Sequence, residues 1–118
     1  MYDVVFYRDI QGREPTLEYI QELGSRIDKN SRVNFQKIRD YVKYLQTVGV
    51  QAKEPFAKRL DGEIWEIRPI RNRLLYAALD GNCFIILHHF IKKTQKTPKR
   101  EIDQAKRNLS DYRERSKK

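Results

Sequence analysis

The segment Arg73-Leu74-Leu75-Tyr76-Ala77-Ala78-Leu79 is followed, after Asp80-Gly81-Asn82, by Cys83-Phe84-Ile85-Ile86-Leu87-His88-His89-Phe90. Two apolar runs joined by a sequence carrying both Asp-Gly and Gly-Asn specify an antiparallel hairpin, because those residues accept the left-handed backbone of a two-residue turn. Just upstream, Ile64-Trp65-Glu66-Ile67-Arg68 alternates. Trp65 and Ile67 share one face, Ile64, Glu66 and Arg68 share the other, and Pro69 ends the run. This half of the chain is committed to a three-stranded antiparallel meander. In either turn register, Arg73, Leu75 and Ala77 lie on the face carrying Phe84, Ile86, His88 and Phe90. Arg73 then falls beside His88 or Phe90 at the open end, and His89 points the opposite way.

The flanking segments have a different period. Val4, Phe6 and Ile10 predict a strand near residues 2–8, ended by Gln11-Gly12. Pro15 suits a first helical position, and Leu17, Ile20 and Leu23 follow at helical spacing up to Gly24. A second helix is expected from Asp28 to Val48, with Phe35, Ile38, Val42 and Leu45 on its apolar side and Gly49 as its stop. Tyr41 and Tyr44 read as edge packing of this helical hairpin. Near the C-terminus Thr97 is placed to cap a helix that opens on Pro98 and carries the stripe Ile102, Ala105, Leu109 and Tyr112. Residues 113–118 are expected to fray. The order predicts an α+β domain spanning 1–118: N-terminal strand, helical hairpin, three-stranded antiparallel meander and C-terminal helix, with the helices on one sheet face. Twelve Phe and Tyr residues and one Trp anchor the interior, Trp65 and Cys83 among the core positions.

Charge narrows the function. Of the formal +9, residues 88–118 hold 11 basic and 4 acidic side chains, a local +7. A field concentrated in one quarter of the chain points to a polyanionic partner, RNA or DNA first; a solvated basic helix is the alternative. The longest apolar run, Leu74 to Leu79, is far short of the roughly 18 residues of a membrane span. The residues after Met1 lack a secretory pattern, so a cytoplasmic protein is expected. One cysteine and two histidines speak against a disulfide or a conventional metal site, and no cofactor is expected.

Glycine-rich phosphate loops, nucleophile elbows and His-Glu-x-x-His are missing. What remains is a cationic set at strand ends: Lys58 and Arg59, Arg68 and Arg73, and Lys92, Lys93 and Lys96. Such a set suits metal-independent RNA cleavage, in which a 2′-hydroxyl attacks the adjacent phosphate. The protein then holds the in-line geometry, neutralises the phosphorane and moves two protons. Arginine gives forked phosphate contacts and lysine gives charge or a proton. Each residue also has a structural alternative. Arg68 could pair with Glu66, Arg73 could bind carbonyls, Lys92 and Lys93 could be solvated, and His88 could be structural.

The stretch from Phe56 to Leu109, with Lys58-Arg59-Leu60, Ile64-Trp65-Glu66-Ile67-Arg68, Arg73-Leu74-Leu75-Tyr76 and Phe90-Ile91-Lys92-Lys93-Thr94-Gln95-Lys96-Thr97-Pro98, resembles the HigB branch of the RelE/ParE toxin superfamily, including its phage-derived relatives. The resemblance implies a compact RelE-like microbial RNase fold. It also implies the toxin of a type II toxin–antitoxin system, a ribosome-dependent endoribonuclease that cuts mRNA in the A site and inhibits translation. By it, Arg68, Arg73, Lys93 and Lys58 are the catalytic candidates; Lys92, Lys96, Lys99, Arg100 and His88 are RNA-binding. His88 is also a candidate acid or base. The implied partner is a helix-turn-helix, HigA-like antitoxin in a heterotetrameric complex that binds operator DNA through the antitoxin. Some RelE members use a tyrosine near the C-terminus; Lys99 stands at about that place here, and Tyr112 lies deep in the helix. The histidine-rich and acidic set of other HigB toxins is not evident. A non-catalytic ParE-like gyrase poison, a basic RNA-binding module and an inert prophage relic that only binds its partner are the competing readings.

Overall fold

In the computed structural model, which describes residues 1–117, the strand Asn72–Asp80 is buried from Asn72 through Ala77 without alternation. A strand apolar on both sides must be covered on both faces. That requirement sets the architecture. The elements are β1 (Asp3–Phe6), α1 (Pro15–Ser25), α2 (Lys29–Val48), a single 3-10 turn (Gly49–Gln51), β2 (Ala57–Asp61), β3 (Ile64–Ile67), β4 (Asn72–Asp80), β5 (Cys83–Ile91) and α3 (Lys99–Ser116). One five-stranded sheet has the order β1-β5-β4-β3-β2, antiparallel except for β1, which runs parallel to β5.

The helices do not share a face. Ile20, Ile38 and Leu45 of α1 and α2 pack on Ile67, Leu74, Tyr76, Phe84 and Ile86. Ala105 and Leu109 of α3 pack on the other side with Ile64, Leu75, Ala77, Ile85 and Leu87. The expected one-sided layer is therefore corrected to a sheet between two helical layers. The uninterrupted run Leu74–Ala77 is its sequence signature. Trp65 is half-buried at the edge of the α1–α2 core, and Cys83 is likewise only partly buried.

Lys58 and Arg59, which fall outside every strand expected from the sequence, lie in the edge strand β2, paired with Glu66 and Trp65. Charged residues hide such a strand from pattern reading while protecting an exposed sheet edge. The β4–β5 hairpin is also irregular. Leu75 pairs with His88 but Tyr76 pairs with Ile86, so Leu87 is an extra residue in the ladder. This bulge puts Phe84 and Ile86 on the α1–α2 face, against expectation, and leaves His88 and Phe90 on the α3 face with Arg73 and Leu75.

Asp28 caps α2 by accepting the Ser31 amide at 2.9 Å. Gly49 stops that helix at φ 54°, where a Cβ would overlap the Tyr2 ring, so both backbone and space require glycine. Thr97 does not cap α3, whose cap position is Pro98; its hydroxyl is used elsewhere. Residues 113–116, expected to fray, are helical, with Arg113 bound by both oxygens of Glu63 and Arg115 bound to Asp111. Lys118, the end of that expected tail, lies outside the described residues. No helix among them is long and apolar enough to cross a membrane.

Leu45 is fully buried whereas Ile27 is 91% exposed. Leu45→Ala is expected to cost about 2–5 kcal/mol in urea unfolding, and Ile27→Ser to stay within about 0.5 kcal/mol of the parent.

Candidate active site

Because Ile67 turns into the α1–α2 core, its neighbour Glu66 must face α3. There Glu66 lies between Lys58 of β2 and Leu75 of β4, only 2% exposed. A dry carboxylate is costly unless its oxygens are partnered. One oxygen accepts the Thr97 hydroxyl at 2.6 Å. The other faces Nε of Arg68 at 3.5 Å and Nε of Arg73 at 4.0 Å. Nη1 of Arg68 is also 3.8 Å from Glu54, so the half-buried guanidinium meets two carboxylates, both at long range.

Arg73 is nearly buried, and its Nη1 donates to the carbonyls of Ile70 at 3.0 Å and Asn72 at 2.8 Å. Desolvation lowers its proton affinity, Glu66 counters this, and Arg68 adds to it. It supports the site from beneath rather than standing open at the surface. The carbonyl of Ile70 comes from a turn in which Ile70 itself has φ 61°. For a β-branched residue this left-handed backbone costs about 1–3 kcal/mol. The turn is held by Asn72, whose side-chain amide donates to Pro69 and to Asn34 of α2 and whose oxygen accepts the Tyr19 hydroxyl of α1.

Residues 92–98 form a strap between β5 and α3. One end is fixed by the Lys92 amide on the Arg71 carbonyl at 2.7 Å, the other by Thr97 on Glu66. Lys93 and Lys96 are exposed on this strap. Among the described residues, Lys58, Lys92, Lys93 and Lys96 enter no ion pair. The α3 cations differ: Lys99 pairs with Asp103, Arg100 lies 3.5 Å from Glu101, Lys106 pairs with Asp61 and Arg113 with Glu63. Much of the basic excess on the helix is thus answered by carboxylates, and the unanswered charge is concentrated on the strap and β2.

Of the residues singled out in the sequence, Lys58, Arg68 and Arg73 share the α3-facing sheet surface around Glu66, and Lys92, Lys93 and Lys96 belong to the strap tied to it. His88 stands on the same surface, with Nε2 2.7 Å from Glu101 of α3. Lys99 and Arg100 lie exposed on α3 beside their own acids, and Arg100 is linked to this surface through Glu101, the partner of His88. Pattern reading gives Glu66 only as an ion-pair partner of Arg68 and Thr97 only as a helix cap, and it misses Glu101. Glu66 could have been found as a carboxylate on the inward side of an alternating strand, whereas nothing local marks Glu101. Cations surrounding one buried acid, with free lysines above them, are suited to holding an anionic group and its developing charge.

His89, on the opposite face, stacks on Tyr19 with centroids 4.5 Å apart, and its Nδ1 lies 3.1 Å from the Thr16 hydroxyl. Burial, helped by the neighbouring His88, pushes its pKa down to about 4. This ring is neutral and structural.

Glu66→Ala is expected to cost about 3–5 kcal/mol in urea unfolding, since it leaves Arg73 buried without its acid; Glu66→Gln costs less because it still accepts the Thr97 bond. At His89 the folded state holds fewer protons than the unfolded chain between about pH 4 and 6.5. Its contribution is therefore present at neutral pH and lost as pH falls, at no more than about 1.4 kcal/mol per pH unit. His89→Gln should reduce the drop in melting temperature between pH 7 and pH 5 relative to the parent, measured by calorimetry.

The model of the family described as phage-derived protein Gp49-like (DUF891) matches residues 25–110, from α2 through most of α3. No curated protein matches the chain. With most of its length matched, the chain belongs to the Gp49-like phage-derived proteins, a toxin–antitoxin-associated family among the RelE/HigB-like toxins.

Proposed function

We propose that this protein is the toxin of a type II pair and acts as a ribosome-dependent, metal-independent endoribonuclease that cuts mRNA in the A site. The observation that carries the reading is the approach of Arg68 and Arg73 to Glu66, with Lys58 opposite that acid in the sheet, and a strap tied to it whose lysines have no acidic partners among the described residues. Arg68, held by two acids at long range, exchanges these contacts for a phosphate oxygen when RNA arrives. Arg73 fixes the turn and adds positive field. Lys58 approaches the phosphate from β2. Lys93 stabilises the leaving 5′-oxygen and gives it a proton. Lys92, Lys96, Lys99 and Arg100 contribute to the long-range attraction of the RNA backbone. The products are a 2′,3′-cyclic phosphate and a 5′-hydroxyl. An isolated domain of this size encloses little of an RNA strand, and the ribosome supplies the remaining alignment.

The partner that silences such a toxin is an antitoxin of the helix-turn-helix, HigA-like class. It covers the unpaired lysines with acidic surface, forms a heterotetramer and carries the pair to operator DNA. Placing the toxin in the cytoplasm follows from its substrate. The gyrase-poison reading requires no arrangement of cations around a scissile phosphate; a DNA damage response in induced cells, with intact mRNA, is its signature.

Arg68→Ala and Lys93→Ala are each expected to lower mRNA cleavage on programmed ribosomes by about 100- to 1,000-fold, with melting temperatures near the parent's and growth arrest abolished. Cleavage is expected to persist in EDTA. Mapping of mRNA 5′ ends in induced cells checks the reading; unchanged ends with translation running normally would overturn it.

A further inference from the structure

We propose that His88 and Glu101 form the proton-transfer pair of this cleavage site: Nδ1 of His88 takes the proton of the attacking 2′-hydroxyl, and Glu101 is the positioning residue that makes Nδ1 available. The inference rests on the nuclease reading above and assigns the proton acceptor which that reading lacks.

The carboxylate of Glu101 lies 2.7 Å from Nε2 of His88. A carboxylate at that distance keeps the proton of the neutral ring on Nε2, which leaves the Nδ1 lone pair as the base. Nδ1 makes no hydrogen bond among the described residues, and the His88 side chain is 22% exposed, so it is reachable from solvent. Its place in the sheet is right for the purpose. His88 is opposite Leu75, and Leu75 is opposite Glu66, so the backbones that carry the base and the buried acid are about two strand spacings, roughly 10 Å, apart, with both side chains on one face. Arg73, opposite Phe90, is the diagonal neighbour of His88. The end of the strap and the first turn of α3 span the gap, touching Glu66 through Thr97 and His88 through Glu101.

The charged and titratable groups around the ring are few. Glu101 and, beyond it, Arg100 approach from α3, Arg73 lies diagonally on β4, and the His89 ring is 6.3 Å away on β5 and held neutral by burial. As a mere fastening for α3 the pair is redundant. That helix is already held by buried Ala105 and Leu109, by Asn108 on the Leu87 carbonyl, and by ion pairs to Asp61 and Glu63.

In the step, the O2′–H proton moves to Nδ1 as O2′ bonds to phosphorus. The P–O5′ bond breaks with its electron pair on O5′, which takes the Lys93 ammonium proton. The His88 imidazolium then returns its proton to water and Lys93 regains one, closing the cycle.

The test is single-turnover cleavage of mRNA on programmed ribosomes by the parent, His88→Ala, His88→Gln and Glu101→Gln, with unfolding curves for each. His88→Ala is expected to lose about 100- to 10,000-fold in rate, and added imidazole to restore at least about tenfold of that loss, as expected for general base catalysis. Glu101→Gln should shift the acid limb of the pH–rate profile, a readout that a fastening role leaves unmoved. Should His88→Ala fold poorly, His88→Gln, which fills the same space without a base, is expected to lose a similar factor while folded. Full rate in folded His88→Gln, or a loss in folded His88→Ala that imidazole does not relieve, overturns the pair. If Arg68→Ala is inactive while His88→Gln keeps full rate, the nuclease reading stands and the dyad falls. If the parent cuts no mRNA, both fall.

Discussion

A carboxylate in a dry position has to be answered, and the answer given to Glu66 organises the working side of this molecule. Its two oxygens do different things. One receives the Thr97 hydroxyl and so ties the lysine-bearing strap to the sheet; the other faces two arginines. Arg73 in turn is satisfied by carbonyls from the Pro69–Asn72 turn, and that turn is braced by Asn72 against both helices of the hairpin. The left-handed Ile70 is the cost of aiming its carbonyl at the guanidinium. Removing the acid at the centre would leave buried positive charge with no partner of opposite sign.

The extra residue at Leu87 decides what faces what. Beyond the bulge toward the open end, His88 and Phe90 share the α3 face with Arg73; on the turn side, Phe84 and Ile86 face the helical hairpin. One inserted residue lets a single strand serve the apolar core of α1 and α2 at one end and a polar surface at the other. His88 and His89 then have unlike fates from adjacent positions. One meets a carboxylate near solvent, whereas the other is stacked and desolvated against Tyr19. The distribution of ion pairs follows the same division. Acids reach across to the α3 cations from the β2–β3 turn, while the strap lysines are left to the solvent.

Fold class, the two long helices, the hairpin and the grouping of Arg68 with Arg73 were legible because each rests on local pattern. Apolar spacing of three and four marks α2, and alternation marks β3. Asp28, Pro15 and Gly49 mark ends by backbone chemistry that context does not alter. Edge strand β2 was not legible, since Lys58 and Arg59 carry the charge of a loop. The Leu87 bulge was hidden as well, because neither apolar run contains a glycine or a break in character. Thr97 reads as a cap by every local rule, yet the stronger demand of a buried carboxylate takes its hydroxyl.

The sequence by itself determined the three helices, the strands β1, β3, β4 and β5, the long apolar runs of the central hairpin, and that positive charge collects between β5 and α3. Those properties depend on neighbours within a few residues. Only the tertiary structure decided that α3 closes the sheet from the far side, that Glu66 sits among the arginines, and that Glu101 meets His88. These pairings join residues distant in sequence through strand register and the docking of α3, and register shifted by one bulged residue leaves no trace in composition or spacing.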